Sequence, residues 1–198
     1  MKTLKLHSFR MTIQTLLVII IFTSSCAQTE KNTKTTTNDT KIQNSQSVPS
    51  IDIHTAIITG NLEAVEQHIK AGTDINVKEA MSGSTPIMSA VTFNKIDIAK
   101  ALIDANADLS LKNNDGGTAL HNAAFFARIE ILQMLIDADA DKTIRNNFGA
   151  TARETVMGDF DEVKPFYDML ILQLKPMGFE LDMNELQKAR PVVAMMLE

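Results

Sequence analysis

The sequence predicts an all-α repeat solenoid: a stack of helix-turn-helix units with short hairpin loops, closed by a helical C-terminal cap. Three observations carry this expectation. Gly83 with Thr85, Gly116 with Thr118 and Gly149 with Thr151 recur at a fixed step of 33 residues, and a step of that size marks stacked repeats. Between them, Ile96, Ala99, Leu102 and Ile103 fall at i, i+3, i+6 and i+7, as do Ile129, Leu132, Leu135 and Ile136. Each set forms one apolar stripe that a single helix cannot hide by itself. Gly72, Asn106 and Asp139 follow at steps of 34 and 33. All three belong to the few residue types that accept the left-handed backbone ending a helix.

The elements follow in chain order. Lys2, Lys5 and Arg10 precede an apolar run from Met11 to Phe22, the pattern of a secretory signal peptide. Polar Thr23-Ser24-Ser25 stops that run short of the roughly 20 residues a membrane-spanning helix needs. The chain's one cysteine, Cys26, comes next. Thr23-Ser24-Ser25-Cys26 resembles a bacterial lipobox, with Thr23 where leucine is usual. The resemblance implies removal of residues 1–25 and lipidation of Cys26, with a signal peptidase I cut after Ala27 as the alternative. A lone cysteine cannot form an internal disulfide, and lipidation accounts for both its number and its place. Residues 28–50 are Thr, Asn, Lys, Ser and Gln with almost no apolar side chains, a composition that cannot repay the entropy of ordering. Residues 26–50 therefore read as a lipidated cysteine and tether, holding the folded part about 25 Å from a membrane.

Residues 51–174 hold four repeats, at about 51–82, 83–115, 116–148 and 149–174. The second begins Gly83-Ser84-Thr85-Pro86-Ile87-Met88-Ser89-Ala90 and the third Gly116-Gly117-Thr118-Ala119-Leu120-His121-Asn122-Ala123. Glycine permits a tight turn, threonine caps the inner helix, and Pro86 sits where its missing N–H costs nothing. The first repeat lacks the Thr-Pro start and has one extra residue in its turn. The fourth keeps Gly149 and Thr151 but has Arg153 and Glu154 in place of apolar residues. Val163, Phe166, Met169 and Leu170 suggest a further amphipathic outer helix. Residues 175–198 read as a helical cap, with Asp182 as N-cap, Met183, Leu186, Arg190, Val193 and Leu197 on one face, and an interruption at Pro191.

The period and the G-x-T-P-L-H-x-A pattern resemble the ankyrin repeat. That resemblance implies a noncatalytic protein-binding module, because repeats that touch only their neighbours build a groove and not a closed pocket. It also implies where a partner would dock. The hairpin tips supply Lys78, Glu79, Asn114, Asp115, Asn147 and Phe148; two inner-helix positions per repeat supply Thr92 and Phe93, then Phe125 and Phe126. The expectation is an aromatic-lined concave groove whose phenylalanines are binding anchors. Scaffold and inhibitor or immunity roles at the bacterial cell envelope suit it equally, on the outer membrane or the periplasmic face, or as a free periplasmic or secreted protein after signal peptidase I cleavage. A structural spacer between lipid anchor and C-terminal tail is the alternative.

Composition and motifs exclude other classes. The formal net charge is −5, and a leader that removes three cations makes it more negative still. Such a chain lacks the basic stripe that nucleic acid binding needs, and its protein partner is expected to be basic. His54 and His121 stand where the family places a histidine that bonds between turns; their separation, without cysteines, does not suit zinc. Asp137, Asp139 and Asp141 open like a calcium loop, but Lys142 and Phe148 occupy positions that need glycine and glutamate. No nucleophile elbow, phosphate loop or dinucleotide motif occurs. No enzyme activity, cofactor or metal is expected, and the oligomeric state is expected to be monomeric.

Overall fold

The computed structural model describes residues 49–198. The leader, Cys26 and most of the tether lie outside the described residues. Within them the fold is all-α, without a strand. Three antiparallel helix pairs come first: α1 (Ile53–Ile58) with α2 (Leu62–Lys70), α3 (Pro86–Thr92) with α4 (Ile96–Asp104), and α5 (Ala119–Phe125) with α6 (Ile129–Asp137). A three-residue 3-10 turn (Glu154–Val156) stands where a fourth inner helix would begin. It is followed by α7 (Phe160–Leu174), a second short turn (Lys175–Met177) and α8 (Met183–Met196).

Sequence explains the local breaks. Gly60, Asn94 and Ala127 carry φ of 73°, 52° and 48° between inner and outer helices, and Gly72, Asn106 and Asp139 carry 71°, 61° and 56° after the outer helices. Each repeat thus spends a left-handed residue at each end of its second helix. Ala127 is the costly one, since its Cβ disfavours that region.

One continuous core runs through the stack. Ile57, Ile87, Val91, Leu102, Leu120, Ile131, Leu132 and Leu135 are fully buried between successive pairs, which is why no pair is stable without neighbours. Val193 of α8 and Leu197, its C-cap, join this core at its C-terminal end. Arg153 Nε donates to Ala194 O at 3.1 Å and Lys142 Nζ to Met196 O at 3.1 Å, fixing α8 over the last repeat. Asp182 accepts from Asn184 N and Glu185 N at the start of α8. The helix runs unbroken through Pro191, which is exposed, so water can satisfy the carbonyl its ring leaves unbonded.

The stripe expected on α7 differs from the one observed. Phe160 and Tyr167 turn inward, whereas Phe166 and Met169 are about half exposed. With apolar residues on both sides of this helix, periodicity alone could not choose the buried face; the ring contacts described next decide it.

Candidate functional site

The two inner-helix positions expected to line an open groove are instead covered by the chain itself. Phe126 is buried, and Phe93 and Phe125 are half-buried, in a second apolar cluster with Phe160, Tyr167, Phe179 and Leu186. Phe125 stacks on Tyr167 with ring centroids 4.4 Å apart. Phe179 meets Phe93 edge-on at 6.2 Å and Phe126 at 5.3 Å. The expectation of Phe93, Phe125 and Phe126 as solvent-facing anchors is corrected accordingly. The physical reason is proximity: the long segment after the last repeat folds back and takes the apolar surface before any partner can.

Polar contacts lock this arrangement. Tyr167 Oη donates to Phe125 O at 2.7 Å. Arg128 Nη2 donates to Thr92 O at 3.1 Å and Glu180 O at 2.9 Å, joining an inner helix to the loop that carries Phe179. Its guanidinium lies 5.9 Å from the Phe126 ring centre and 5.6 Å from that of Phe179, within cation–π range. Burial lowers the Arg128 pKa to about 10, leaving the group charged at neutral pH. Thr92 is engaged too, donating to Met88 O and accepting from Asn122 Nδ2. A depression of about 760 Å³ beside this latch is lined by Phe93, Lys95, Arg128, Lys175 and Phe179 and lies open to solvent.

Tyr167 is the chain's one tyrosine, and there is no tryptophan. Burial pushes its phenol up to about 12, against an opposing effect of Arg190. A free phenol ionises near 10. The stability this contributes is fully present below about pH 10 and is lost as pH rises through about 12, amounting to about 3 kcal/mol. Tyrosinate absorbance is therefore expected to appear near pH 12 in the folded chain, and near pH 10 when α7 is released. A native titration near 10 would place Tyr167 in water and contradict the docked α7.

The hairpin tips form the other surface. Each turn closes by a backbone bond at matching positions: Glu79 N to Ser84 O at 3.0 Å, Asn113 N to Gly117 O at 2.9 Å and Asn146 N to Ala150 O at 2.9 Å. Successive tips are then joined to one another. Asn114 N donates to Ser82 O and Asn147 N to Asp115 O, both at 2.9 Å. The amides repeat the pattern, Asn114 Nδ2 to Met81 O and Asn147 Nδ2 to Asn114 O, both at 3.0 Å. Lys78 Nζ reaches Lys112 O at 2.6 Å. Burial, the largest single effect, pushes the Glu79 carboxyl up, but hydrogen bonds accepted from Ser82 and Met81 N together hold it below the usual range.

Lys78, Asn114 and Asn147 thus bond one tip to the next, while Glu79 closes its own tip, and together they make a rigid ridge. Exposed Asp115 sits on it with its carboxylate unpaired among the described residues. At its crest Met81 is 83% and Phe148 73% exposed. Phe148 was legible from its place in the turn. Met81 was not singled out; the extra residue in the first turn is the signal that could have found it.

The three described histidines, His54, His68 and His121, bond within the stack. His121 Nδ1 accepts from Thr118 N at 3.2 Å while Nε2 donates to Ala150 O at 3.1 Å, a pairing that requires the neutral ring. Burial lowers its pKa, opposed by the Ala150 bond and helped by Lys112. His54 bonds to Val77 O and Ser89, and His68 to Ile51 O and Thr73. In the second repeat Met88 replaces the histidine, and the buried Thr85 hydroxyl has no partner among the described residues. Among the described residues no group of three or more His, Cys, Asp or Glu is placed to hold a metal ion. Nor is any described helix long and apolar enough to cross a membrane.

Paired helices stacked around one core, with protruding tips bonded in series, define a helical repeat solenoid of the interaction type. More particularly, residues 53–146 are ankyrin repeats, matching that family in three copies. The human and mouse proteins named Protein phosphatase 1 regulatory subunit 27 are each 39% identical over 64 residues, 32% of this chain and 41% of theirs. A putative ankyrin repeat protein of Fowlpox virus (strain NVSL) is 41% identical over 66 residues, 33% of this chain and 15% of its own. The chain therefore spans well under half the length of these relatives. Among solved structures, the ankyrin repeat domain of Bcl-3, described as a member of the IkappaB protein family, matches with a TM-score of 0.51 and 25% identity. That match covers 52% of this chain and 45% of the other.

Proposed function

We propose that this chain is a noncatalytic protein-binding module of the bacterial cell envelope that engages its partner along the hairpin-tip ridge. The observation that carries the reading is the crest itself: Met81 and Phe148 stand exposed on tips that are hydrogen-bonded to one another. A ridge already rigid loses little entropy on association, and two exposed apolar side chains on it are suited to be anchors. The aromatic end of the groove is occupied internally, so the ridge replaces Phe93, Phe125 and Phe126 as the proposed contact. Similarity to proteins named as a phosphatase regulatory subunit and as ankyrin repeat proteins supports binding over catalysis.

The envelope address rests on the leader and Cys26, which would tether the module by lipid and leave it facing a partner in the same compartment. An acidic chain favours a basic partner, as in an inhibitor of a basic enzyme or a scaffold.

The test is capture from envelope extract by the full chain and by a Met81→Ser, Phe148→Ser double variant. Both side chains are solvent-facing, so the variant is expected to keep its thermal midpoint while losing a captured partner by about a hundredfold in affinity. Undiminished capture by the variant would reject the ridge. In parallel, Cys26→Ser is expected to move the chain from the membrane to the soluble fraction, and membrane retention would reject the lipid anchor.

A further inference from the structure

We propose that the outward face of α7 is a self-complementary interface that pairs two copies of this chain, antiparallel and about a twofold axis near Met169. On α7, Glu162, Pro165, Met169 and Leu172 follow one another at steps of 3, 4 and 3, with Phe166 and Gln173 beside them and Pro176 in the short turn that follows. All seven are solvent-exposed. Their middle is apolar: Phe166 is 49%, Met169 52% and Leu172 79% exposed, with Met177 at 43% just beyond the helix. Alternating steps of three and four describe the seam by which two helices pack side by side.

Charge identifies the occupant. The N-terminal end of α7 carries Asp161 and Glu162, whereas Lys175 follows its C-terminal end. None of these three makes an ion pair among the described residues. Lys164 is already paired with Asp168 at 2.9 Å along the flank. A second α7 running the opposite way sets Met169 against its own counterpart and Phe166 against Leu172 of the second copy. Glu162 then lies beside Lys175 of the second copy, seven residues before and six after the axis. Opposed helix dipoles favour the same orientation. A parallel pair would set acid against acid at one end and Lys175 against Lys175 at the other. An anionic membrane surface would meet the three exposed acids Asp161, Glu162 and Asp168 around this stripe.

Such an arrangement is isologous, each patch serving both copies, and therefore closes at two. It departs from the monomer that the sequence suggests. A single helix pair is small beside a standard interface, so micromolar association is expected. The opposite face of α7 stays docked through Tyr167, and the hairpin tips are not used, so the pairing is independent of the ridge.

The experiment uses the full chain with Cys26→Ser, so that an introduced cysteine is the one thiol. Met169→Cys is expected to give a disulfide-linked dimer on mild oxidation, far faster than Gln187→Cys on the exposed side of α8. In sedimentation, Glu162→Lys and Lys175→Glu should each weaken association by about tenfold, and the two together should restore it to within about threefold. These are exposed positions, and unchanged circular dichroism is expected for each variant. Equal cross-linking at both cysteine positions, single variants without effect, or a double variant as weak as the singles would each overturn the proposal. A strictly monomeric chain at high concentration would do so as well, as would loss of anionic-vesicle binding, and not of a dimer, in Met169→Asp.

Discussion

Replacing Phe126 with alanine is expected to lower stability by about 3–5 kcal/mol and to release α7 from the stack. The ring is buried, meets Phe125 edge-on at 5.0 Å and Phe179 at 5.3 Å, and lies under the Arg128 guanidinium. Truncation removes ring–ring and cation–π contacts together and opens a void that Phe179, tied through Glu180 to Arg128, cannot readily fill. The Phe125→Ser, Phe126→Ser pair should cost more, because it also strips the stacking partner of Tyr167 and places two hydroxyls in an apolar cluster. Because this cluster is distinct from the one running through the repeats, the loss should fall first on α7. Urea unfolding followed by helical circular dichroism, with Tyr167 absorbance as the local probe, reads both. A Phe126→Ala variant within about 1 kcal/mol of the parent would mean that the ring is not core.

Gly116→Ala is expected to cost about 2–4 kcal/mol, clearly more than the same change at Gly149. Both glycines hold left-handed backbone, with φ of 74° and 77°, and an added Cβ costs about 1–2 kcal/mol in that region wherever it occurs. At Gly116 the methyl would also fall 2.7 Å from Asn147 N and collide with the Asn147 side-chain oxygen. The next tip must then move, giving up its bonds to Asp115 O and Asn114 O, each worth about 1 kcal/mol. At Gly149 nothing lies within 4 Å, so that variant pays the backbone term alone. Parallel thermal or urea unfolding of the two variants measures the difference. Equal losses would mean that contact between tips adds nothing to the ridge.

The tips and the core differ in what local sequence reveals of them. Gly83, Gly116 and Gly149 announced the turns because a backbone requirement restricts residue choice at one position and repeats with the fold. The Asn114 and Asn147 amides looked like a partner-facing rim. Nothing in the residue type tells an asparagine that bonds the neighbouring tip from one that waits for a ligand; only the distance to the next carbonyl does. Phe125 ends α5, and Phe93 and Phe126 cap the ends of α3 and α5, yet their exposure depends on what lies above them. A tyrosine in an amphipathic helix, such as Tyr167, has no local mark of being the residue that bonds Phe125 O.

By itself, the sequence determined the repeat period, the ends of the repeat helices and most of the stripe that α4 and α6 bury, but not the buried face of α7. These follow from backbone sterics and from periodicity over a few residues, interactions that chain neighbours settle among themselves. Tertiary structure alone decided which apolar surface remains for a partner. The contacts of Phe125 with Tyr167 and of Phe126 with Phe179 join residues more than forty positions apart. Whether such surfaces meet depends on the path of the whole segment after the last repeat. That path covers the aromatic end of the groove and leaves the tips, and one face of α7, in water.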